Sequence, residues 1–161
     1  MLNLYANPYS CDATGFYFTS MDEFEAEYEK HLPVEEYMIE FIDGDDDERR
    51  LFDAVKPSGN PAEFFDALDD LDSEARVVAY EYLRGVGCDH DEALRKVDSV
   101  CVFYGSEEDY AGECVDEGMY GVVPDALKTH IDYASIANDL RCNGDVVPMD
   151  GGWLITNAND V

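Results

Sequence analysis

Apolar residues along this chain first alternate with polar ones, then recur every three or four positions, then alternate again. Leu2–Tyr5 and Phe16–Phe18 read as short strands flanking a turn-rich loop, Asn7-Pro8-Tyr9-Ser10 through Gly15. Ser20-Met21-Asp22-Glu23 has the spacing of a capping box, in which the serine oxygen takes the amide of Glu23 and Glu23 reaches back. Phe24 and Tyr28 continue the apolar stripe of a helix ending near Pro33. Tyr37–Ile42 reads as a strand stopped by Asp43-Gly44, and a short helix is expected over Glu48–Val55.

Pro57-Ser58-Gly59-Asn60-Pro61 is the clearest internal boundary, with Asn60 suited to cap a helix that Pro61 opens. Three helices are expected to follow, over about 61–70, 73–84 and 90–98, with Gly85 and Gly87 separating the last two and Asp89 capping the third. Val100–Tyr104 is a β-type run, and Ser106 opens a helix reaching about Glu117. Tyr133, Ile136, Ala137 and Leu140 fall at i, i+3, i+4 and i+7, an amphipathic helix closed by Asn143-Gly144. Val146–Met149 and Trp153–Thr156, joined through Asp150-Gly151-Gly152, read as a terminal hairpin. The fold class is therefore α+β, an elongated chain of small subdomains: a β-rich α+β part over 1–58, a helical part over 59–99 and a mixed part over 100–161.

Charge changes this picture most. Against 38 Asp and Glu stand 10 Lys and Arg, a net charge of −28, while 46% hydrophobic residues provide for an ordinary core. Residues 1–20 carry a net −1, residues 21–60 and 61–110 carry −10 each, and residues 111–161 carry −7. The acidity belongs to the folded surface, not to a tail. Nucleic acid and anionic membranes would both repel such a surface, so neither is an expected partner.

No stretch approaches the ~20 apolar residues needed to span a bilayer. Met1–Tyr5 lacks the positive region of a signal peptide, so the cytoplasm is the expected compartment. The five cysteines, Cys11, Cys88, Cys101, Cys114 and Cys142, are odd in number and without a C-x-x-C pair, which predicts reduced thiols, mostly buried as small hydrophobes.

Catalytic and metal motifs fail when tested. Asp43, Asp45 and Asp47 occupy the first three ligand positions of an EF-hand loop, but Glu48 stands where glycine is required and Ala54 where glutamate is. Asp45-Asp46-Asp47 reads as a solvated acidic turn. Cys88 and His90 have no second pair at zinc-ligand spacing, and His31 and His130 are isolated. No G-x-S-x-G, H-E-x-x-H, Walker loop or G-x-G-x-x-G is present. The reading is a protein without enzymatic activity, cofactor or metal.

What does recur is an acidic ladder. Asp22, Glu25 and Glu29 lie at i, i+3 and i+7; Glu63, Asp66 and Asp70 repeat that spacing; Asp109, Glu113 and Glu117 lie at i, i+4 and i+8. Helix neighbours at these offsets stand about 5–6 Å apart and repel when like-charged. Crowding of this kind is expected to raise carboxylate pKa values. A solvated face explains any one ladder, but three ladders in separate segments suit a basic channel built for DNA. Twenty-eight charges correspond to about 48 Å of duplex, or roughly 14 base pairs. These ladders, with Asp45, Asp46 and Asp47, form the candidate partner-binding surface.

Gly15-Phe16-Tyr17-Phe18 before the acidic helix, Glu40-Phe41-Ile42-Asp43-Gly44-Asp45, and His130-Ile131-Asp132-Tyr133 through Asp139-Leu140 together resemble the ArdA antirestriction proteins. The likeness extends to Asn143-Gly144-Asp145 and Ile155-Thr156-Asn157-Ala158 and covers roughly residues 3–158, less the loop at 6–14. It implies a DNA-mimicking inhibitor of type I restriction–modification enzymes, carried by mobile elements and acting as an elongated homodimer. It associates Val123–Leu140, with Tyr133, Ile136 and Leu140 on one stripe, with the dimer interface. Two other readings of the residues stay open: a protein adapted to high salt, since 22 Asp and 16 Glu face 4 Lys, and an acidic adaptor for some other basic protein.

Overall fold

A computed structural model describes every residue except Cys11 and Leu32–Glu35. Pro33, the expected stop of the first helix, therefore lies outside the described residues. The fold is mixed α and β, with two small antiparallel sheets, and divides into compact units at Met1–Arg95 and Lys96–Val161.

In the first unit, β1 (Asn3–Pro8) lies between β2 (Phe16–Phe18) and β3 (Tyr37–Asp43), paired antiparallel with both. The register sets Leu4 opposite Phe18 and Phe41, and Ala6 opposite Phe16 and Ile39. Alternation then puts Leu4, Ala6, Phe16, Phe18, Tyr37 and Ile39 on one buried face. The opposite face carries Tyr17 and Met38, both exposed, and a Tyr5–Tyr17 ring pair at 4.7 Å. Glu40, opposite Tyr5 in the register, lies on that face too, its carboxylate accepting from the Asn7 side-chain amide at 2.9 Å.

The helices α1 (Met21–Tyr28), α2 (Asp46–Val55), α3 (Ala62–Asp70), α4 (Glu74–Gly85) and α5 (His90–Lys96) complete this unit. Phe24 of α1 packs on Phe16 and Phe18, and Phe65 of α3 reaches Phe18. Aromatic contact continues from Phe41 to Phe52 of α2 and on to Phe64 of α3, which is fully buried. The Asn60 side-chain oxygen accepts from the Ala62 amide, but the cap position falls on Pro61 and the helix opens at Ala62, each one residue later than expected. Asp89 likewise accepts from the Glu92 amide. The chain leaves α5 through a single 3-10 turn, Val97–Ser99.

The first helix departs from the expected capping box in one respect. Ser20 accepts from the Glu23 amide, but the Glu23 carboxylate takes the amide and hydroxyl of Thr19 at 2.8 and 2.7 Å. A donor pair on one residue outbids the single Ser20 amide. The complete boxes lie elsewhere, at Asp45/Glu48 before α2 and at Ser106/Asp109 before α6 (Glu107–Asp116). The acidic run Asp45-Asp46-Asp47 is thus no free turn. Asp45 caps α2, which starts two residues earlier than expected, and three carboxylates in the first turn sit favourably at the positive end of the helix dipole.

In the second unit, β4 (Val102–Tyr104), β6 (Trp153–Ile155) and β5 (Val147–Met149) form a sheet with β6 central. The expected hairpin is β5–β6, turned through Gly151 and Gly152 at φ 79° and 84°, where a side chain would be strained. Pro148 is accommodated because β5 is an edge strand. Asn157, just after β6, is tied to the segment leading into β4, accepting from the Cys101 amide and donating to the Ser99 carbonyl.

Helices α6 and α8 (Tyr133–Asn143) pack on each other over a core of Ala111, Cys114, Ala137, Leu140, Val146 and Leu154. A short helix, α7 (Asp125–Lys128), precedes α8 and was not legible from periodicity at four residues. The four described cysteines are free thiols, as expected, but among them only Cys114 is buried; Cys11 lies outside the described residues. Cys88 is half-buried, while Cys101 and Cys142 are exposed because they lie outside the apolar stripes of their segments. His90 is buried with its Nδ1 2.9 Å from the Tyr80 hydroxyl, whose pKa burial pushes up to about 12.

Candidate partner-binding surface

Each ladder is exposed for the same reason that its helix exists. Helix α1 turns Phe24 inward, α3 turns Phe64 and Ala67 inward, and α6 turns Ala111, Cys114 and Val115 inward. The 3.6-residue period then leaves Asp22, Glu25 and Glu29, Glu63, Asp66 and Asp70, and Asp109, Glu113 and Glu117 in solvent. Within the first unit, two such ladders and the Asp45–Asp47 run are present; within the second, one.

Cations do little to relieve them. Lys30 pairs with Glu27, Arg49 with Asp53, Arg50 with Glu81, Arg76 with Asp72 and Lys128 with Asp116. Among the described residues and the ladder carboxylates, Glu63 alone has a cation within reach, Arg84 at 3.9 Å. The other ion pairs engage acids outside the ladders, so apart from Glu63 the ladder charge faces outward without a cation in contact among the described residues.

Proton affinities divide these carboxylates by partner. Asp47 is pushed up by burial and then by the nearby carboxylates of Glu74 and Asp45, as crowding predicts. Glu23, Asp109 and Asp132 are held below the usual range, each by a hydroxyl and a backbone amide: Thr19, Ser106 and Ser135. Hydroxyl donation to these carboxylates acts at 2.6–2.7 Å, whereas exposed ladder neighbours act through water and are screened. Capping chemistry, invisible in a net charge, thus overrules crowding at these three positions.

The sign of the pH dependence follows from this. A depressed folded pKa contributes stability above the unfolded value, near 4 for these groups, and loses it as pH falls through the folded value. Asp47 acts oppositely, its contribution being lost as pH rises through its folded value. Replacing Ser106 with Ala should therefore lower the melting temperature at pH 7. The gap from the parent should narrow as pH falls below about 4, where protonated Asp109 no longer gains from Ser106. Thermal melts of both proteins across pH 2–7 would read this; a gap independent of pH would show that the Asp109 carboxylate contributes nothing.

Tyr133, Ile136 and Leu140 line up on α8 as expected and face the core of their own unit. Leu140 is buried there, while Tyr133 and Ile136 are partly buried and pack against it. The Tyr133 hydroxyl donates to the Lys128 carbonyl. Beside Tyr133, Glu108 and Asp116 join the α6 ladder in a groove of about 390 Å³ with Gly112. Those two acids escaped the ladder spacing, although their sequence positions put them on the flanks of the same helix face.

Among the described residues, no three His, Cys, Asp or Glu side chains converge as a metal site, and no helix is long and apolar enough to cross a membrane. The sequence matches the family model described as Antirestriction protein (ArdA) over residues 10–155. The chain belongs to the ArdA family. Antirestriction, the function that the family name states, is thereby the function of its class, and restriction enzymes are the partners it implies. A comparison with curated proteins finds no match. The ArdA match spans all three ladders, every strand of both sheets except β1, and the whole of α8.

Proposed function

We propose that this chain is a DNA mimic that enters the DNA-binding channel of a type I restriction–modification enzyme and blocks restriction by competition, without chemistry of its own. One observation carries the reading: exposed carboxylate ladders on the outward faces of α1, α3 and α6, almost without cationic partners. A channel lined with Lys and Arg for phosphates gains from such a surface by the same electrostatic attraction and release of ions. Family membership supplies the antirestriction context, and charge supplies the mode.

The test is displacement of labelled duplex from a type I methyltransferase core. Increasing amounts of the protein should release the DNA, and the effect should fall steeply as salt is raised. Release accompanied by cleavage or covalent modification of the enzyme would refute passive competition.

The proposed assembly is a homodimer through the α8 segment, in which the exposed edges of Tyr133 and Ile136 meet a second copy, backed by Leu140. Apolar contact there must outweigh repulsion between two strongly anionic chains. Sedimentation should show association that strengthens with salt, because screening removes the opposing term. A monomer at every salt and micromolar protein would sink this assembly.

A further inference from the structure

Charge alone makes a mimic diffuse, but one part of the acidic surface has shape as well. Helix α1 lies across from the turn at Gly59 and Asn60, and between them is a groove of about 390 Å³. Phe24, Glu25, Tyr28 and Glu29 line its helical side, with Met21 at one end. The opposite wall is fixed to the sheet. The Gly59 amide donates to the Tyr37 carbonyl at 3.0 Å, Ser58 bridges to Met38, and Asn60 is held by its bond from the Ala62 amide. Gly59 adopts φ 74°, which a side chain would oppose.

Within the groove, apolar and anionic groups are ordered. Phe24 is buried at the base, and Tyr28 leans on Phe24 and, edge to face, on Tyr37, with ring centroids 5.8 and 5.7 Å apart. Even so supported, Tyr28 remains 46% exposed. Glu25 and Glu29 stand one helical turn apart beside it, and neither has a cationic partner among the described residues. Lys30, the nearest base in sequence, is bound to Glu27 at 2.7 Å. An aromatic wall held in place by two other rings, next to two unpaired carboxylates, has the chemistry of a receptor for a flat, delocalised cation on an apolar stem.

We propose that this groove receives an arginine side chain from the basic channel of the partner enzyme, making Tyr28 an anchor within an otherwise diffuse electrostatic surface. The inference rests on the DNA-mimic reading for the source of the arginine. The methylene stem lies along Met21 and Phe24, the guanidinium stacks on Tyr28, and its donors reach Glu25 and Glu29. Lysine fits less well, because its compact ammonium is strongly hydrated and cannot stack as a plane. Contacts of this kind concentrate binding in a few residues even where the charge is widely spread.

Two measurements separate this anchor from the mimicry itself. The first is titration of the intact protein with N-acetyl-arginine amide, followed by NMR at the Tyr28 ring signals, which are assigned from the Tyr28→Phe spectrum. A saturable shift, larger than that given by N-acetyl-lysine amide, is expected; no shift, or an equal one, overturns the groove. Since no enzyme is present, this result does not depend on whether the protein displaces DNA.

The second is displacement of duplex from a type I methyltransferase core. Tyr28→Leu should weaken displacement about fivefold with the salt dependence unchanged, because one cation–aromatic contact is lost and no charge. Glu25→Gln with Glu29→Gln leaves Tyr28 packing intact and should weaken it more than Asp66→Asn with Asp70→Asn, which removes the same charge from exposed positions on α3. Parental displacement by Tyr28→Leu, together with equal losses in the two double variants, would overturn the anchor while leaving mimicry standing. Failure of the parent protein to displace duplex would overturn mimicry, and the NMR titration would still decide the groove.

Discussion

Neutralising Glu63, Asp66 and Asp70 together, as Glu63→Gln, Asp66→Asn and Asp70→Asn, is expected to weaken displacement of duplex DNA by between about threefold and about a hundredfold. Exposed ion pairs contribute roughly 0.2–1 kcal/mol each, and three such contacts convert to that range. Asp66→Asn alone should change little, because the attraction is distributed over many carboxylates. All three side chains are exposed on α3, so folding should be preserved or slightly favoured as repulsion falls. Competition titrations at two salt concentrations would read both the loss and a shallower salt dependence. If Asp66→Asn alone abolished displacement, the surface would hold a discrete site on α3 and the distributed reading would be wrong.

The other large effect is on the fold. Phe64→Ala should destabilise the first unit by roughly 3–5 kcal/mol, the usual cost of emptying a buried aromatic position. Phe64 is fully buried, meets the ring of Phe52 at 5.6 Å and that of Phe65 at 5.3 Å, and so joins α2 to α3. A loss of that size is a large part of a small domain's stability. Denaturant unfolding would measure it. A cost below about 1 kcal/mol would mean that neighbouring rings close over the space. At temperatures where the variant is still folded, displacement of DNA should be close to the parent's, since every ladder carboxylate is retained. That contrast separates what holds the ladders in place from what the ladders do.

Much of the fold could be read from spacing. The strands at Phe16–Phe18 and Tyr37–Asp43, the helix from Tyr133 and the terminal hairpin lie within a residue or two of their expected positions. In each, a strong local pattern agrees with burial. The exposure of the ladders was equally legible, because a helix that buries Phe24, or Phe64 and Ala67, must turn the intervening acids outward. Where local chemistry offered competing partners, the reading slipped. Glu23 chose Thr19 over Ser20, and Asp45 proved to be a helix cap where an acidic turn was expected. Spacing identifies possible hydrogen bonds, but the donor geometry selects among them.

Sequence by itself determined the sign and spread of the charge, the α+β composition and the acidic faces, since these depend on residue type and on periods of two and 3.6. It also carried the family likeness through the order of its motifs. Only tertiary structure decided which strands are central, β1 in one sheet and β6 in the other, because pairing joins residues far apart in the chain. It also decided that the Tyr133 stripe packs on α6, that Cys101 and Cys142 are exposed, and that Tyr28 faces the Gly59–Asn60 turn across a groove. The physical reason is the same throughout: a period tells which residues share a face, whereas what covers that face is set by chain brought from elsewhere.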